Sequence, residues 1–302
     1  MGLFGRDTIP LSRKARRRRP FFRRSRCQCL VAAALLFVCF RFFFLTPKKE
    51  VDIVVVTFNA FIYAKQGLET LKRNTDWQKA RLHLVDSGSN TESLSWFEEF
   101  CESWFCRFST RGDVGYTRAA NYGVKQGVRK LVVLMNPDVL VCSSWLENLI
   151  KAMNTCPTIA AVGPHSNAAS FQSIPDIFDE DGNLARNGLP DGLHVEDMCR
   201  MVQSKTFHDF PDTTFLNGFL MLFKRSAFDA VGGLDDTNFP IGYGEENDFC
   251  IRLQNAGYSL AVADNTYAYH FKTTGFSQEK RVELSRNGSL ENRAKHGKVF
   301  FV

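Results

Sequence analysis

The stretch that decides the fold is Asp52-Ile-Val-Val-Val-Thr-Phe-Asn59, in a chain of 302 residues. Residues 52–56 contain a short β-branched run without interruption, which is typical of a strand buried on both faces. The sequence then predicts a helix at 61–73 and a second strand at 82–85. A strand, a helix and another strand in this order predict parallel strands joined by a crossover helix.

The same alternation continues toward the middle of the chain. We expect helices at 91–100 and 116–126 and strands at 105–109 and 130–134. Ligands of such sheets bind beyond the carboxyl ends of the strands. Polar side chains fall at those ends, and they are Thr57, Asn59, Asp86, Ser87 and Asp138. This convergence is the first indication of a functional site.

The pattern is weaker in the second half of the chain. Residues 166–211 are rich in Asn, Asp, Gly and Pro, and a loop of this length inside a compact domain is usually functional or mobile. Regular structure is expected again at 214–223, as a helix from 245 to about 256, and as a strand at 259–263. Residues 272–292 are polar, and we expect them to be flexible.

The N-terminus combines a basic tail, 1–28, with an apolar segment, 29–46. The tail holds ten Arg and Lys against one acidic residue, and no stacking aromatics alternate with its charges, which argues against nucleic-acid binding. The apolar run predicts a transmembrane signal anchor of a single-pass type II protein. Residues 47–302 are then lumenal, in the Golgi or endoplasmic reticulum. A cleaved signal peptide and a transit peptide are the alternatives.

The cysteines give no metal or redox motif. There are nine, and none forms a CxxC pair, so a structural zinc site is not expected. In an oxidising compartment Cys101 with Cys106, or Cys142 with Cys156, are the pairs nearest in sequence. Packing of free cysteines in the core is the preferred expectation.

Motifs spread over residues 51–297 resemble, in the expected order, those of family 2 glycosyltransferases. The earlier ones are Asp52–Asn59, Leu84-Val-Asp-Ser-Gly-Ser-Asn90, Gly112-Asp-Val-Gly-Tyr-Thr-Arg-Ala-Ala-Asn-Tyr-Gly123 and Leu134-Met-Asn-Pro-Asp-Val139. The later ones are Gly232-Gly-Leu-Asp-Asp236, Gly242-Tyr-Gly-Glu-Glu-Asn-Asp-Phe-Cys-Ile-Arg252 and Lys295-His-Gly297. Each motif alone is weakly specific, but their common order is strongly specific.

The resemblance implies the GT-A fold, an α/β architecture with a Rossmann-like, mostly parallel sheet flanked by helices. It implies inverting transfer of a sugar from a nucleotide-sugar donor to a hydroxyl of a glycan, glycolipid or glycoprotein acceptor. A divalent metal, Mn²⁺ or Mg²⁺, neutralises the departing diphosphate, and a carboxylate base deprotonates the acceptor. The N-terminal half binds the donor and the C-terminal half binds the acceptor.

The resemblance also assigns residues to these roles. The nucleotide-sugar contacts are Thr57, Asn59, Asp86, Gly115, Asn121, Asn136 and Asp138. The metal ligands are Asp138 and His270. Glu246 takes the place of the family's usual aspartate base, Glu245 is the neighbouring alternative, and Asp235 and Asp248 lie on the acceptor side. Both glutamates stand at a predicted helix N-terminus, where the dipole favours the charged form, so we expect both to be ionised.

Two other functions remain open at this point. A nucleotidyltransferase also binds nucleotides and metal on a related sheet, but it favours a glycine-rich loop after the first strand, and residues 57–61 contain no glycine. A catalytically degenerate lumenal sugar-binding protein is the second alternative. Its support is that Asn136 replaces a carboxylate of the metal motif and that Glu246 replaces the aspartate base.

Overall fold

The computed structural model describes residues 50–59, 61–102, 104, 106–272 and 276–297. All of them belong to one unit, Lys48–Val302. The predicted basic tail, 1–28, and the predicted anchor, 29–46, lie outside the described residues.

The predicted membrane location is corrected by the structure. None of the helices formed by the described residues has the length and apolar character needed to cross a bilayer. This finding disagrees with a single-pass type II membrane protein, and the described part of the chain gives that location no support. The apolar segment on which the prediction rested is not among the described residues.

The strands that the described residues form make up one sheet in the order β3-β2-β1-β4-β8-β6-β9-β5, with β7 paired to β9. The first five are β1 (Val51–Thr57), β2 (Ala80–Asp86), β3 (Cys106–Thr110), β4 (Leu131–Met135) and β5 (Val139–Val141). The other four are β6 (Ile159–Ser166), β7 (Asp212–Thr213), β8 (Leu220–Lys224) and β9 (Ser259–His270).

Helices cover both faces of this sheet. The first four are α1 (Phe61–Asn74), α2 (Thr91–Glu102), α3 (Tyr116–Gln126) and α4 (Trp145–Met153). The others are α5 (Val195–Lys205), α6 (Arg225–Ala230), α7 (Glu245–Asn255) and α8 (Gln278–His296), with a short 3₁₀ helix at Ser170–Gln172. One apolar core packs α1, α2 and α4 against the sheet, and a second packs α3, α6 and α7 against its other face.

The first half of the sheet confirms the predicted α/β pattern. β1 pairs in parallel with β2 and with β4, and β2 pairs in parallel with β3. Every residue of β1 is buried, which is why its sequence reads as a continuous apolar run instead of an alternating one. The carboxyl ends of β1, β2 and β4 therefore meet at one edge.

The second half departs from a mostly parallel sheet. β8 lies between β4 and β6 and is antiparallel to both, and β5 and β7 are antiparallel to β9. The sheet is therefore mixed. Its order depends on long-range pairing of β8 with β4, which the local pattern at 214–223 does not encode.

Two regions expected to be irregular contain helices. Within 166–211, α5 packs its buried Met198 and Val202 against Tyr267 of β9. Residues 272–292, expected to be flexible, overlap α8, which begins after the cap Ser277. The last helix, α8, has no strong apolar stripe of its own, and contacts with other elements hold it in place.

The cysteine pairing also differs from the preferred expectation. Cys101 is bonded to Cys106, and this is one of the two pairs that proximity in sequence suggested. Cys142 is bonded to Cys199 and not to Cys156, which stays free and exposed. Because the partner of Cys142 lies on α5, 57 positions later, sequence proximity gave the wrong pair.

Candidate active site

A cleft of about 1080 Å³ opens beyond the carboxyl ends of β1 and β4. The segment before α7 and one face of α8 form its opposite wall. Six residues predicted for the site line it: Gly115, Asn136, Asp138, Glu245, Glu246 and His270. Acidic groups separated by more than a hundred residues in sequence, Asp138 and Glu246, thus face a single cavity.

The strand-end residues predicted to contact the nucleoside do not line this cleft. Asp86 is fully buried, and its carboxylate accepts hydrogen bonds from Thr57 Oγ1 at 2.9 Å and from the backbone N–H groups of Gly88 and Ser89 at 2.9 and 3.0 Å. The Asn59 backbone N–H donates to Ser89 Oγ at 2.9 Å. These residues tie the ends of β1 and β2 together.

Neighbouring side chains border the cleft at this edge instead. They are Phe58, Ser87, Asp113 and Arg118. Sequence reasoning missed the last two because the glycine-marked stretch 112–123 drew attention to its glycines and asparagine. The polar and charged positions between those glycines were the available signal.

Asn121 does not reach the cleft and instead supports its wall. Its amide N–H₂ donates to the Leu234 carbonyl at 2.8 Å and to Asp236 at 3.0 Å, and its oxygen accepts from the Leu234 N–H at 3.1 Å. Gly115, just before α3, has a positive φ of 83°, and a Cβ there would overlap the carbonyl oxygen of Pro240. α3 is thereby held close to the segment that leads into α7.

Asp235 and Asp248, predicted for the acceptor side, fasten α8 to the molecule. Lys295 Nζ lies 2.7 Å from a carboxylate oxygen of each, and His296 Nε2 lies 2.7 Å from Asp248 Oδ1. Arg252 completes the cluster, 2.6 Å from Asp248. Burial raises the pKa of Asp248, but the hydrogen bonds from these partners outweigh it and lower that pKa below its ordinary value.

The predicted metal ligands are adjacent. Asp138 Oδ1 and His270 Nε2 lie 3.3 Å apart, and both side chains are buried. Two ligands that each lie about 2.1 Å from one ion are separated by roughly this distance. The imidazole stacks on the ring of Phe219, and burial lowers its pKa, which favours the neutral form that can ligate a metal.

The two residues are not a complete metal site. Among the described residues, no group of three or more His, Cys, Asp or Glu side chains is arranged to hold an ion. Hard divalent cations often take one or two protein ligands and complete their shell with phosphates and water. The Asp138–His270 pair fits that kind of site. Asn136 Nδ2, 3.5 Å from His270 Nε2, belongs to the same cluster.

The two glutamates at the start of α7 differ in environment. Burial raises the pKa of Glu245 well above its ordinary value, and the neighbouring carboxylate of Glu246 adds to the effect. The expectation that both are ionised is therefore wrong for Glu245, because desolvation of the buried group outweighs the helix dipole. Glu246 is less buried, and its Oε2 accepts a hydrogen bond from the Gly244 N–H at 3.1 Å.

Gly218 leaves room for the Glu246 side chain. A Cβ at this position would lie 3.1 Å from Glu246 Cβ and 3.4 Å from its Cγ. The glycine at 218 therefore leaves the space that the Glu246 side chain needs in its observed position.

Basic side chains that were not among the predicted site residues also line the cleft. They are Arg118, Arg186, Lys272, Arg281 and Arg286. Burial lowers the pKa of Lys272, and the charge of Glu246 partly opposes this. Except for Arg118, which lies in the motif 112–123, these residues belong to no motif, and only the folded arrangement brings them together. As a group they can bind an anionic ligand.

The fold is that of known sugar-transferring enzymes. The structure of GalNAc-T7 with UDP, GalNAc and Mn²⁺ matches 76% of this chain and 44% of its own, with a TM-score of 0.59 and 18% identity. The mannosyltransferase PcManGT from Pyrobaculum calidifontis, in complex with GDP-Man and Mn²⁺, matches 91% of this chain and 75% of its own, with a TM-score of 0.59 and 15% identity.

Two curated proteins are similar in sequence. An uncharacterized protein of Sinorhizobium fredii is 24% identical over 245 residues, which are 77% of this chain and 26% of that protein. The chondroitin synthase of Escherichia coli is 21% identical over 271 residues, 81% of this chain and 39% of that enzyme. This chain therefore spans well under half the length of both relatives.

The family model for glycosyl transferase family 2 matches residues 52–232, well over half of the chain. This range contains all of β1 except its first residue, the aspartates at the strand ends, and Gly115, Asn136 and Asp138 of the cleft. The mixed sheet and the cleft at its carboxyl edge agree with the solved structures above. The chain belongs to glycosyl transferase family 2.

Proposed function

We propose that this glycosyltransferase moves a sugar from a nucleotide-sugar donor to an acceptor hydroxyl with inversion, using Glu246 as the general base and a divalent metal at Asp138 and His270. The observation that carries the proposal is that Asp138 and Glu246 line one cleft, with Lys272 close enough to interact electrostatically with both. One end of the cleft can thus stabilise a leaving diphosphate while the other accepts a proton.

The chemistry needs no covalent intermediate. The acceptor oxygen forms a bond to the anomeric carbon as the bond from that carbon to the diphosphate breaks. Glu246 takes the proton that the hydroxyl loses, and the electron pair of the broken bond leaves on the diphosphate. A single displacement of this kind inverts the anomeric configuration.

Negative charge that develops on the leaving group needs compensation in a partly dry site. The basic groups nearest to Lys272 are Arg186 and Arg281, which affect its pKa through their charges. We assign these three side chains to the diphosphate. A bound Mn²⁺ or Mg²⁺ would supply further positive charge there.

Burial raises the pKa of Glu245 well above its ordinary value and so disfavours its charged form, which makes it the weaker candidate. Glu246 is the less buried of the two and lines the cleft, and we assign it as the base. Glu246 borders both the cleft and a smaller cavity beside it, so it can reach a ligand from either side.

The test measures release of nucleoside diphosphate from UDP-, GDP- and dTDP-sugars with Mn²⁺ or Mg²⁺, without and with sugar acceptors. A transferase hydrolyses its donor slowly without acceptor and faster with one. A degenerate sugar-binding protein would bind the donor without releasing diphosphate, and a nucleotidyltransferase would release pyrophosphate from a nucleoside triphosphate and a sugar phosphate. Either of these two results would exclude the proposed function.

A further inference from the structure

A second cavity of about 170 Å³ adjoins the cleft. One water-sized group needs about 10–15 Å³ of such a cavity, so the cavity has room for on the order of ten non-hydrogen atoms, which is the scale of one sugar ring. The two cavities share Asn217, Tyr243, Glu246, Ser285 and Ser289. Glu246 therefore stands at the boundary between them.

The lining of the second cavity is almost entirely uncharged. Among the described residues that line it, Glu246 has the one carboxylate, and there is no Lys, Arg or His. The main cleft, by contrast, has five basic side chains. An anionic ligand in the second cavity would face the Glu246 carboxylate without a compensating cation, so the lining selects against phosphate, sulfate and carboxylate groups.

Polar groups of the cavity are available to a ligand. The side chains of Asn247, on α7, and of Ser285 and Ser289, one turn apart on α8, line it and have no hydrogen-bond partner among the described residues. An amide offers donors and an acceptor, and each hydroxyl can do both. This combination suits a ligand with several hydroxyl groups.

The opposite wall is rigid and partly aromatic. The Asn217 N–H donates to Gln172 Oε1 at 2.7 Å, and Gln172 Nε2 donates to the Pro164 carbonyl at 2.7 Å. Phe171, next to this buried glutamine, borders the cavity although 48% of its surface is exposed. A half-exposed aromatic ring can pack against the apolar face of a sugar, because large aromatic side chains offer a broad apolar surface. The amide and hydroxyl groups beside the ring can then form hydrogen bonds with the hydroxyl groups of that sugar.

The geometry points to the second cavity as the acceptor subsite, and to a neutral saccharide residue as the acceptor that it holds. The inference rests on the proposed function, because it places the attacking hydroxyl beside the base Glu246. A peptide acceptor fits less well, since the cavity is the size of one ring and its lining contains no strand of the sheet with an open edge.

The experiment offers the wild-type enzyme a panel of acceptors at saturating donor. The panel contains methyl glycosides of neutral hexoses and N-acetylhexosamines, the matching uronic acid glycosides, and a serine- and threonine-containing peptide. We expect transfer to one or more neutral glycosides, with kcat/KM at least about tenfold above that of the matching uronic acid. Transfer only to the uronic acids or the peptide overturns the inference, and so does donor hydrolysis with no transfer to any member.

Variants then locate the acceptor. Phe171→Ala and Asn247→Ala should each raise the acceptor KM about tenfold, the effect of one lost stacking or hydrogen-bonding contact. The donor KM and the acceptor-independent hydrolysis of donor should stay within twofold of wild type. The matched controls are Phe207→Ala, whose ring is 88% exposed, and Asn287→Ala, which is exposed on α8 and lines neither cavity.

The readouts separate the two proposals. An unchanged acceptor KM in both Phe171→Ala and Asn247→Ala overturns the subsite while donor hydrolysis still supports the transferase. Loss of donor hydrolysis in both variants assigns these residues to the donor and also overturns the subsite. Absence of donor hydrolysis in the wild-type enzyme defeats the proposed function itself.

Discussion

Glu245 and Glu246 are consecutive residues at the start of α7, but one is buried and the other lies at the surface of both cavities. Burial raises the pKa of Glu245 well above its ordinary value, whereas Glu246 accepts a hydrogen bond from the Gly244 N–H and borders both cavities. The adjacent charges cannot both be accommodated at low cost when one is buried. Burial therefore disfavours the charged form of Glu245.

Because of this difference, the variants Glu245→Gln and Glu246→Gln form a matched pair. Glu246→Gln should lower kcat at least about a hundredfold, because general-base catalysis contributes at least about that factor, while donor binding is retained. Glu245→Gln replaces a neutral carboxyl group by a neutral amide of similar shape, and kcat should stay within a few-fold of wild type. Steady-state kinetics of both variants checks this. Full activity in Glu246→Gln would mean that another group is the base.

Metal binding should depend on Asp138. A donor at one hundred times its dissociation constant stabilises a protein by about 2.7 kcal/mol. In Asp138→Ala the Mn²⁺-dependent part of this stabilisation should disappear, because one of the two adjacent ligand atoms is lost. Thermal shift with donor, with and without Mn²⁺, measures it. Asp113→Ala removes another carboxylate that lines the cleft and serves as the control, since its metal-dependent shift should remain.

Gly218→Ala should impair catalysis without unfolding the protein. The added Cβ would lie 3.1 Å from Glu246 Cβ, so the glutamate must move by a few tenths of an ångström. Misplacement of a catalytic group by such a shift lowers kcat, and we expect a reduction of about tenfold or more. The melting temperature should change by only a few degrees. Gly188→Ala is the control, because nothing lies near a Cβ there and φ is not positive.

The attachment of α8 should depend on pH at both extremes. The folded-state pKa of Asp248 is lowered from 3.8, so its contribution to stability is present above about pH 4 and is lost as pH falls through the folded value. The pKa of Lys295 is raised from 10.5 because its contacts with Asp235 and Asp248 outweigh burial, which would lower it. Its contribution is present below about pH 10 and is lost as the pH rises through the raised folded-state pKa. Hydrogen exchange of α8 amides across this range measures the attachment.

The same cluster can be tested by substitution. Asp248→Asn removes the charge that Arg252, Lys295 and His296 share, and should lower the free energy of unfolding by about 1.5–3 kcal/mol. Its acid-side pH dependence should become shallower, because the titrating group is gone. Chemical denaturation at pH 4 and pH 7 compares it with wild type. Asp229→Asn removes an exposed carboxylate of α6 that forms no ion pair with the described residues, and it should leave both quantities unchanged.

Gly288 shows how closely α8 approaches the segment that leads into α7. A Cβ at this position would overlap the carbonyl oxygen of Tyr243, just before Glu245. Asn292 adds a hydrogen bond to the Gly244 carbonyl at 3.0 Å. The helix that was expected to be flexible from its polar sequence is thus a wall of both cavities.

The local sequence pattern was sufficient to predict the strands in the first half of the chain. The β-branched run 52–56 and the apolar run near 131–135 favour buried strands, and both strands occur close to the predicted bounds. The motifs around Asp138 and Glu246 likewise identified groups that the fold brings to one cleft. These features follow from short-range periodicity and from residue types that the chemistry requires.

Tertiary structure alone decided the rest. The antiparallel β8, the Cys142–Cys199 bond, the basic side chains of the cleft and the position of α8 depend on contacts between segments far apart in the chain. Burial also gives Glu245 an environment different from that of Glu246 and encloses Asp86. Nothing in the sequence distinguishes these three carboxylates as candidate site residues. The physical reason is that desolvation depends on what surrounds a group in space, and sequence spacing does not report it.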